Sequence, residues 1–172
     1  TIDTANPDAP GVADLDAASD TGSSSTDNIT NDTTPTLSGT AEAGATVTLT
    51  SDVDGAVGTA TADGSGDWSI TSSALAEGAH DLTSTATDTA GNISVASVAL
   101  AITVDTGIPA VPSIPDLAAA SDSGTADNDD LTNDTTPTLT GSAEADATVT
   151  LTSSVDGAVG TATADGAGDW SI

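Results

Sequence analysis

Neither lysine nor arginine occurs in the 172 residues, against 27 aspartates and glutamates, so the formal charge at pH 7 is −27. A chain without cations cannot neutralise phosphates or anionic headgroups, which sets aside nucleic acid and direct membrane insertion as partners. Its carboxylates also lack any Lys or Arg partner. The folded state must bear their repulsion or take cations from solution, and Ca2+ is the obvious recruit. Cysteine is absent too, which excludes a disulfide framework and a thiolate metal site and leaves metal ions as the remaining staple. Aromatics amount to 1% of the chain, too few to furnish a sugar cleft with stacking platforms. With one histidine, His80, and no Cys, Lys, Arg or Tyr, there is no base–nucleophile pair and no imidazole cluster, so no catalysis is expected. His80 reads as an exposed strand-edge residue. No apolar run reaches the length of a membrane span. The first residues show no initiator Met, basic n-region or signal h-region, so the chain reads as an internal fragment.

What is present is an ungapped internal repeat. Asn31-Asp32-Thr33-Thr34-Pro35-Thr36-Leu37 returns as Asn133-Asp134-Thr135-Thr136-Pro137-Thr138-Leu139, and Asp67-Trp68-Ser69-Ile70 returns as Asp169-Trp170-Ser171-Ile172. The period is about 102 residues and roughly 70% of the overlap is identical. The expected organisation is a linker from a preceding repeat at 1–10, a first repeat at 11–104, an interdomain linker at 105–112 carrying Pro109 and Pro112, and a second repeat at 113–172, truncated before its last strands.

Within a repeat the apolar period is two, as in Val47-Thr48-Leu49, with Thr46, Thr48 and Thr50 on the other face. Seven strands follow: A near Val12–Ala17, B near Thr34–Thr40, C near Thr46–Ser51, D near Val57–Ala62, E near Trp68–Thr71, F near His80–Thr87 and G near Ile93–Val104. The phase of G changes between Val95 and Val98, which predicts a β-bulge near Ala96-Ser97. Seven short strands in about 100 residues predict an all-β fold of tandem immunoglobulin-like sandwiches, with Trp68 and Trp170 as core anchors.

The densest polar segment follows strand A, from Ser19 to Asp32, and returns from Ser121 to Asp134. Closely spaced Asp, Asn and loop carbonyls are what a hard cation with six to eight oxygen ligands requires; the same residues also make Asx turns that satisfy only their own backbone. Seven-strand connectivity puts this loop at the end where strand G leaves at Asp105. Glu144 and the Asp165–Asp169 turn are expected at the facing end of the next repeat, and Asp3, Glu42, Asp63, Asp67 and the Asp88–Asn92 loop at the equivalent end of the first. Asp52-Val53-Asp54-Gly55 resembles half an EF-hand loop but lacks the required Glu, and reads as a hairpin turn. Outward threonine ladders at Thr46, Thr48, Thr50, Thr59 and Thr61 leave open an alternative as a carbohydrate- or ice-binding module, against which the twist of sandwich sheets argues.

The segments TDNITNDTTPTLSGTAEAGATVTLT, GDWSI, EGAHDLTSTATDTAGN and VDTGIPAVP resemble the bacterial Ig-like extender repeats of giant repeats-in-toxin adhesins, ice-binding adhesins among them. The resemblance covers the whole chain. It implies type I secretion to the surface of a Gram-negative bacterium, calcium-dependent folding, neighbouring identical repeats as partners, and a stalk that projects a distal ligand-binding domain in cell adhesion. Carried over by motif, it places calcium ligands among Asp20, Asp27, Asn28, Asn31, Asp32 and the linker Asp105. Their counterparts are Asp122, Asp129, Asp130, Asn133, Asp134 and Asp3. The change of Ser25-Thr26 to Asp127-Asn128 is expected to make the two loops coordinate differently.

Overall fold

The computed structural model describes residues 2–22, 24–124, 126 and 128–172, so Asp127 lies outside the described residues. The chain divides into two compact units, Thr1–Gly107 and Ile108–Ile172, and its described residues contain strands and turns without helices.

The first unit is an immunoglobulin-like sandwich. Its strands are β1 (Asp14–Leu15), β2 (Ile29–Thr30), β3 (Thr36–Thr40), β4 (Thr46–Ser51), β5 (Gly55–Thr61), β6 (Asp67–Thr71), β7 (Gly78–Thr87) and β8 (Leu100–Val104). One sheet has the order β1-β3-β6 and the other β2-β8-β7-β4-β5. Alternation drives the two faces together: Leu15, Leu37, Trp68 and Ile70 from the first sheet meet Val47, Leu49, Val57, Leu82, Ile102 and Val104 from the second in one buried cluster. Trp68 fits because its ring crosses Gly39, where a Cβ would sit 2.6 Å from Cζ2. The β4–β5 hairpin closes at Asp54-Gly55, with Gly55 at φ +78°. A bulge between Leu49 and Thr50 makes Val57 the extra residue, and its side chain is buried.

Two features go beyond the strand reading. Strand β2 falls inside the polar segment after β1 and pairs in parallel with β8, Ile29 opposite Thr103 and Thr30 opposite Val104. The expected single bulge in G spreads over two serine steps. Ser94 and Ser97 donate their N–H groups to Ala86 O and Ser84 O, and their hydroxyls accept from Ala86 N and Ser84 N. Side-chain oxygens thus stand in for ladder carbonyls between Ile93 and Leu100.

The second unit repeats the early strands as β9 (Asp116–Leu117), β10 (Leu139–Ser142), β11 (Thr148–Ser153), β12 (Gly157–Thr163) and β13 (Asp169–Ser171). They form a sheet of order β13-β10-β9 and a β11-β12 hairpin with the same bulge, between Leu151 and Thr152. Its buried cluster is Val149, Ala164 and Trp170, with Leu139, Ala143, Ala162 and Ile172 packed against it.

Candidate functional site

The segment from Ser19 to Asp32 is held by hydroxyls as much as by carboxylates. Thr30 is buried and donates to Ser19 O, while its oxygen accepts from Asp32 N. The Ser19 hydroxyl donates to Asp32 Oδ2 and accepts from Thr36 N, tying the loop to β3. Thr21 donates to Asn31 Oδ1 at 2.8 Å and accepts from Asn31 N. In the second unit Thr132 donates to Ser121 O, the Ser121 hydroxyl accepts from Thr138 N, and Ser123 accepts from Asn133 N. Sequence reasoning did not single out these serines and threonines, although their return at the repeat period was the available signal.

Against that frame most of the proposed ligands are locally engaged. Asp27 Oδ1 accepts from Ile29 N, and Asp129 Oδ1 from Leu131 N. Asp32 Oδ1 accepts from the N–H and hydroxyl of Thr34, and Asp134 Oδ1 from those of Thr136. Asn133 Oδ1 accepts from Ser123. Asn28 and Asp130 occupy the left-handed region at φ +60° and +57°, and Asn28 O accepts from Thr103 N. Asp105 reaches the same loop through its backbone, donating to Thr30 O at 2.8 Å. The Asp105 and Asp3 carboxylates close matching turns by accepting from Gly107 N and Ala5 N.

Asp20 and Asp122 differ from all of these. They are only 4% and 8% exposed. One oxygen of each accepts from the left-handed stretch: Asp20 Oδ2 from Asn28 N at 3.3 Å, and Asp122 Oδ2 from Asp129 N and Asp130 N at 3.2 and 3.4 Å. Among the described residues the other oxygen, Oδ1 in both, is buried without a hydrogen-bond partner. A desolvated carboxylate oxygen with no donor is costly, and the same cost recurs at matching positions of both repeats. Among the described residues no three Asp, Glu or His side chains converge as a ready ligand set. A cation at this oxygen would have to draw its other ligands from carbonyls, hydroxyls, amides or further carboxylates.

The remaining acidic positions are mostly self-contained turns. Asp63 accepts from Ser65 N and Asp67 N, and Asp165 from Ala167 N and Asp169 N. Asp88 accepts from Ala90 N and from the N–H and side-chain amide of Asn92. Donors aimed at the charged form hold all three carboxyls below the usual range: first Ser65 N–H for Asp63, Asp169 N–H for Asp165, and the Asn92 amide for Asp88. The Asp52–Gly55 stretch is the β4–β5 turn, pinned by Asp52 Oδ1 to Asp81 N and by Asp54 Oδ2 to Ala76 N.

His80 is not an exposed edge residue: it is 2% exposed, on the face of β7 that buries Leu82, Ser84 and Ala86. Both ring nitrogens are paired, which is what permits its burial. Nε2 lies 2.9 Å from Ala76 O, so it carries the proton, and Nδ1 lies 2.9 Å from Ser51 Oγ. Asp54 Oδ2 is 3.4 Å from the same Nδ1. Ser, His and Asp thus meet, but serine and carboxylate share one nitrogen and Ser51 Oγ already accepts from Val53 N and Asp54 N. A nucleophile relay needs them on opposite nitrogens with the hydroxyl open to substrate, and Ser51 is 2% exposed.

The outward face of the larger sheet carries a threonine array. Thr46 lies opposite both Thr61 and Thr87, Thr48 opposite both Thr59 and Thr85, and Thr50 opposite Thr83. It extends the ladders expected from β4 and β5 onto β7.

The family described as Bacterial Ig-like domain matches residues 6–106 and 108–172. A solved structure titled "Biofilm associated protein - BSP domain" is similar over 97% of this chain at 20% identity and a TM-score of 0.32, and the chain spans 24% of that structure's length. No curated protein matches the chain in sequence.

Proposed function

The chain belongs to the bacterial Ig-like domain family, and from that premise we propose that it is a stalk segment of a secreted bacterial surface adhesin. In this reading its tandem sandwiches extend a distal binding domain from a Gram-negative cell after type I secretion, take up calcium to fold and stiffen, partner neighbouring repeats of the same chain, and catalyse nothing.

The observation that carries the calcium reading is the buried Oδ1 of Asp20, unpartnered among the described residues and matched by that of Asp122, in a chain with no Lys or Arg to pair it. Bound calcium would supply the missing positive charge. Asp20, Asp27, Asn28, Asn31, Asp32 and Asp105 would hold it in the first repeat, with Asp122, Asp129, Asp130, Asn133 and Asp134 in the second and Asp3 at the preceding linker. Wild-type protein should melt at a temperature that climbs with calcium. For an affinity of roughly 10⁻⁴ M the gain approaches about 2.7 kcal/mol at a hundredfold excess. Asp20→Ala should blunt that response. Identical melting curves in EDTA and in millimolar calcium would sink the calcium reading.

The threonine array favours one second reading, a ligand-binding module for carbohydrate or ice. Replacing Thr48 and Thr85 by valine keeps the β-branched shape and removes two hydroxyls, so glycan or ice binding that survives the change would remove the array from consideration.

A further inference from the structure

Only three of the 27 acidic residues are glutamates: Glu42, Glu77 and Glu144. Two of them hold opposite ends of the connector between the repeats. Thr106 donates its N–H to Oε1 and Oε2 of Glu77, at 3.3 and 3.1 Å, and its hydroxyl to Oε2. Ala110 donates its N–H to Glu144 Oε2 at 3.1 Å. The first contact lies wholly within the first unit and the second wholly within the second.

We infer that Glu77 and Glu144 are the jaws that grip the connector at its two ends, leaving Gly107 as its hinge without any bound ion. A chain with no Lys or Arg cannot fasten a linker with an ordinary salt bridge, so its carboxylates must take neutral donors, and N–H or O–H bonds to a charged acceptor are the strong ones of that kind. Glutamate reaches one methylene further than aspartate. The base of the first jaw is fixed: the preceding residue, Ala76, donates to Asp54 and accepts from buried His80. What it grips leaves a fixed exit, since Val104 is fully buried and Asp105 N is bonded to Thr30 O. Between the jaws, Pro109 has its φ locked and Ile108 is restricted by the proline that follows. Gly107 retains backbone freedom, limited by the bond from its N–H to Asp105 Oδ1.

This inference is independent of the calcium reading, and the experiment separates the two. The chain has no cysteine, so Thr59→Cys with Thr161→Cys gives one spin label in each repeat, and the distance distribution between them is measured in EDTA and in calcium. Glu77 and Glu144 are exposed, so their variants should keep the wild-type circular dichroism. Glu77→Ala should broaden the distribution, with the released population rising about tenfold. Glu77→Gln should fall between wild type and alanine, and Glu144→Ala should release less because it loses one bond. A wild-type width for Glu77→Ala in both solutions overturns the jaws, even where calcium narrows the wild type. Broadening by Glu77→Ala in both solutions supports them, even where calcium has no effect on the wild type.

Discussion

The two repeats share most of their sequence from Thr46 to Ile70 and from Thr148 to Ile172, yet the same residues are buried to different depths. Val57 is 3% exposed and its counterpart Val159 is 49% exposed; Leu49 is fully buried while Leu151 is half-buried. Trp68 and Trp170 are both 4% exposed. The hairpins, their bulges and the tryptophan–glycine contact are the same in both, so local sequence is enough to produce them. What differs is cover. In the first repeat β7 and β8 bring Leu82, Ile102 and Val104 onto the core, and among the described residues the second has no equivalent pair. Local geometry is encoded within each hairpin, whereas burial is conferred by strands far along the chain.

The sharpest way to break this comparison is to remove the cover. Leu82 on β7 is fully buried, at 0% exposure, so Leu82→Ala should cost the first repeat about 3 kcal/mol in denaturant unfolding. The same logic ranks a matched pair. Val57→Ala should cost about 2 kcal/mol, and Val159→Ala, at a half-exposed position, under about 0.5 kcal/mol. Equal costs at Val57 and Val159 would show that Val159 is as well covered as Val57 in the protein measured.

A smaller effect tests the part the repeats share. A Cβ at Gly39 would meet Trp68 Cζ2 at 2.6 Å, and one at Gly141 would meet Trp170 Cζ2 at 2.5 Å. Gly39→Ala and Gly141→Ala should therefore each destabilise their own repeat by about 1–2 kcal/mol, read repeat by repeat through tryptophan fluorescence with the other tryptophan replaced by phenylalanine. A Cβ at Gly141 would also meet Ser113 Oγ at 2.7 Å, a contact Gly39 lacks, so a larger shift is expected at Gly141; a larger shift at Gly39 would mean that the tryptophan site also depends on the distant strands.

The legibility of the sequence follows the same division. The β4 span was readable to the residue from Thr46 to Ser51, because apolar alternation is a local signal. Strand β2 was not readable, since Ile29-Thr30 is two residues long and forms only against β8, more than seventy residues away. The burial of His80 is hidden from the sequence for a related reason. Its burial depends on Ser51 and Ala76 O arriving at its two nitrogens, and a lone histidine carries no sign of either. Within the candidate site the acidic residues stood out, but which of them keeps an unbonded oxygen depends on where Thr30, Ser19 and Thr34 spend their hydroxyls and N–H groups, a three-dimensional matter.

The smallest expected effect concerns acid. Asp63 and Asp165 close matching turns in the two repeats, and Asp88 closes one in the first. Each carboxyl is held below its ordinary value of 3.8. A depressed folded-state value means that the charged form is favoured by folding. The contribution is thus fully present above the unfolded value and disappears as pH falls through the lower folded one. Acid has an opposite effect on the whole chain, because discharging carboxylates relieves the repulsion of a −27 surface. Single substitutions separate the two. Asp88→Asn leaves nearly all the repulsion in place but removes the charged acceptor for Asn92 and Ala90. It should lower the melting temperature slightly at neutral pH, and the gap to wild type should close below the carboxylate range. Asp63→Asn and Asp165→Asn should behave alike, each in its own repeat, because both turns are built from their own backbone and need no cover from β7 or β8. If the gap for Asp63→Asn persists undiminished in acid while that for Asp165→Asn closes, the first turn is held by something other than its charge, and the equivalence of the two local frames fails there.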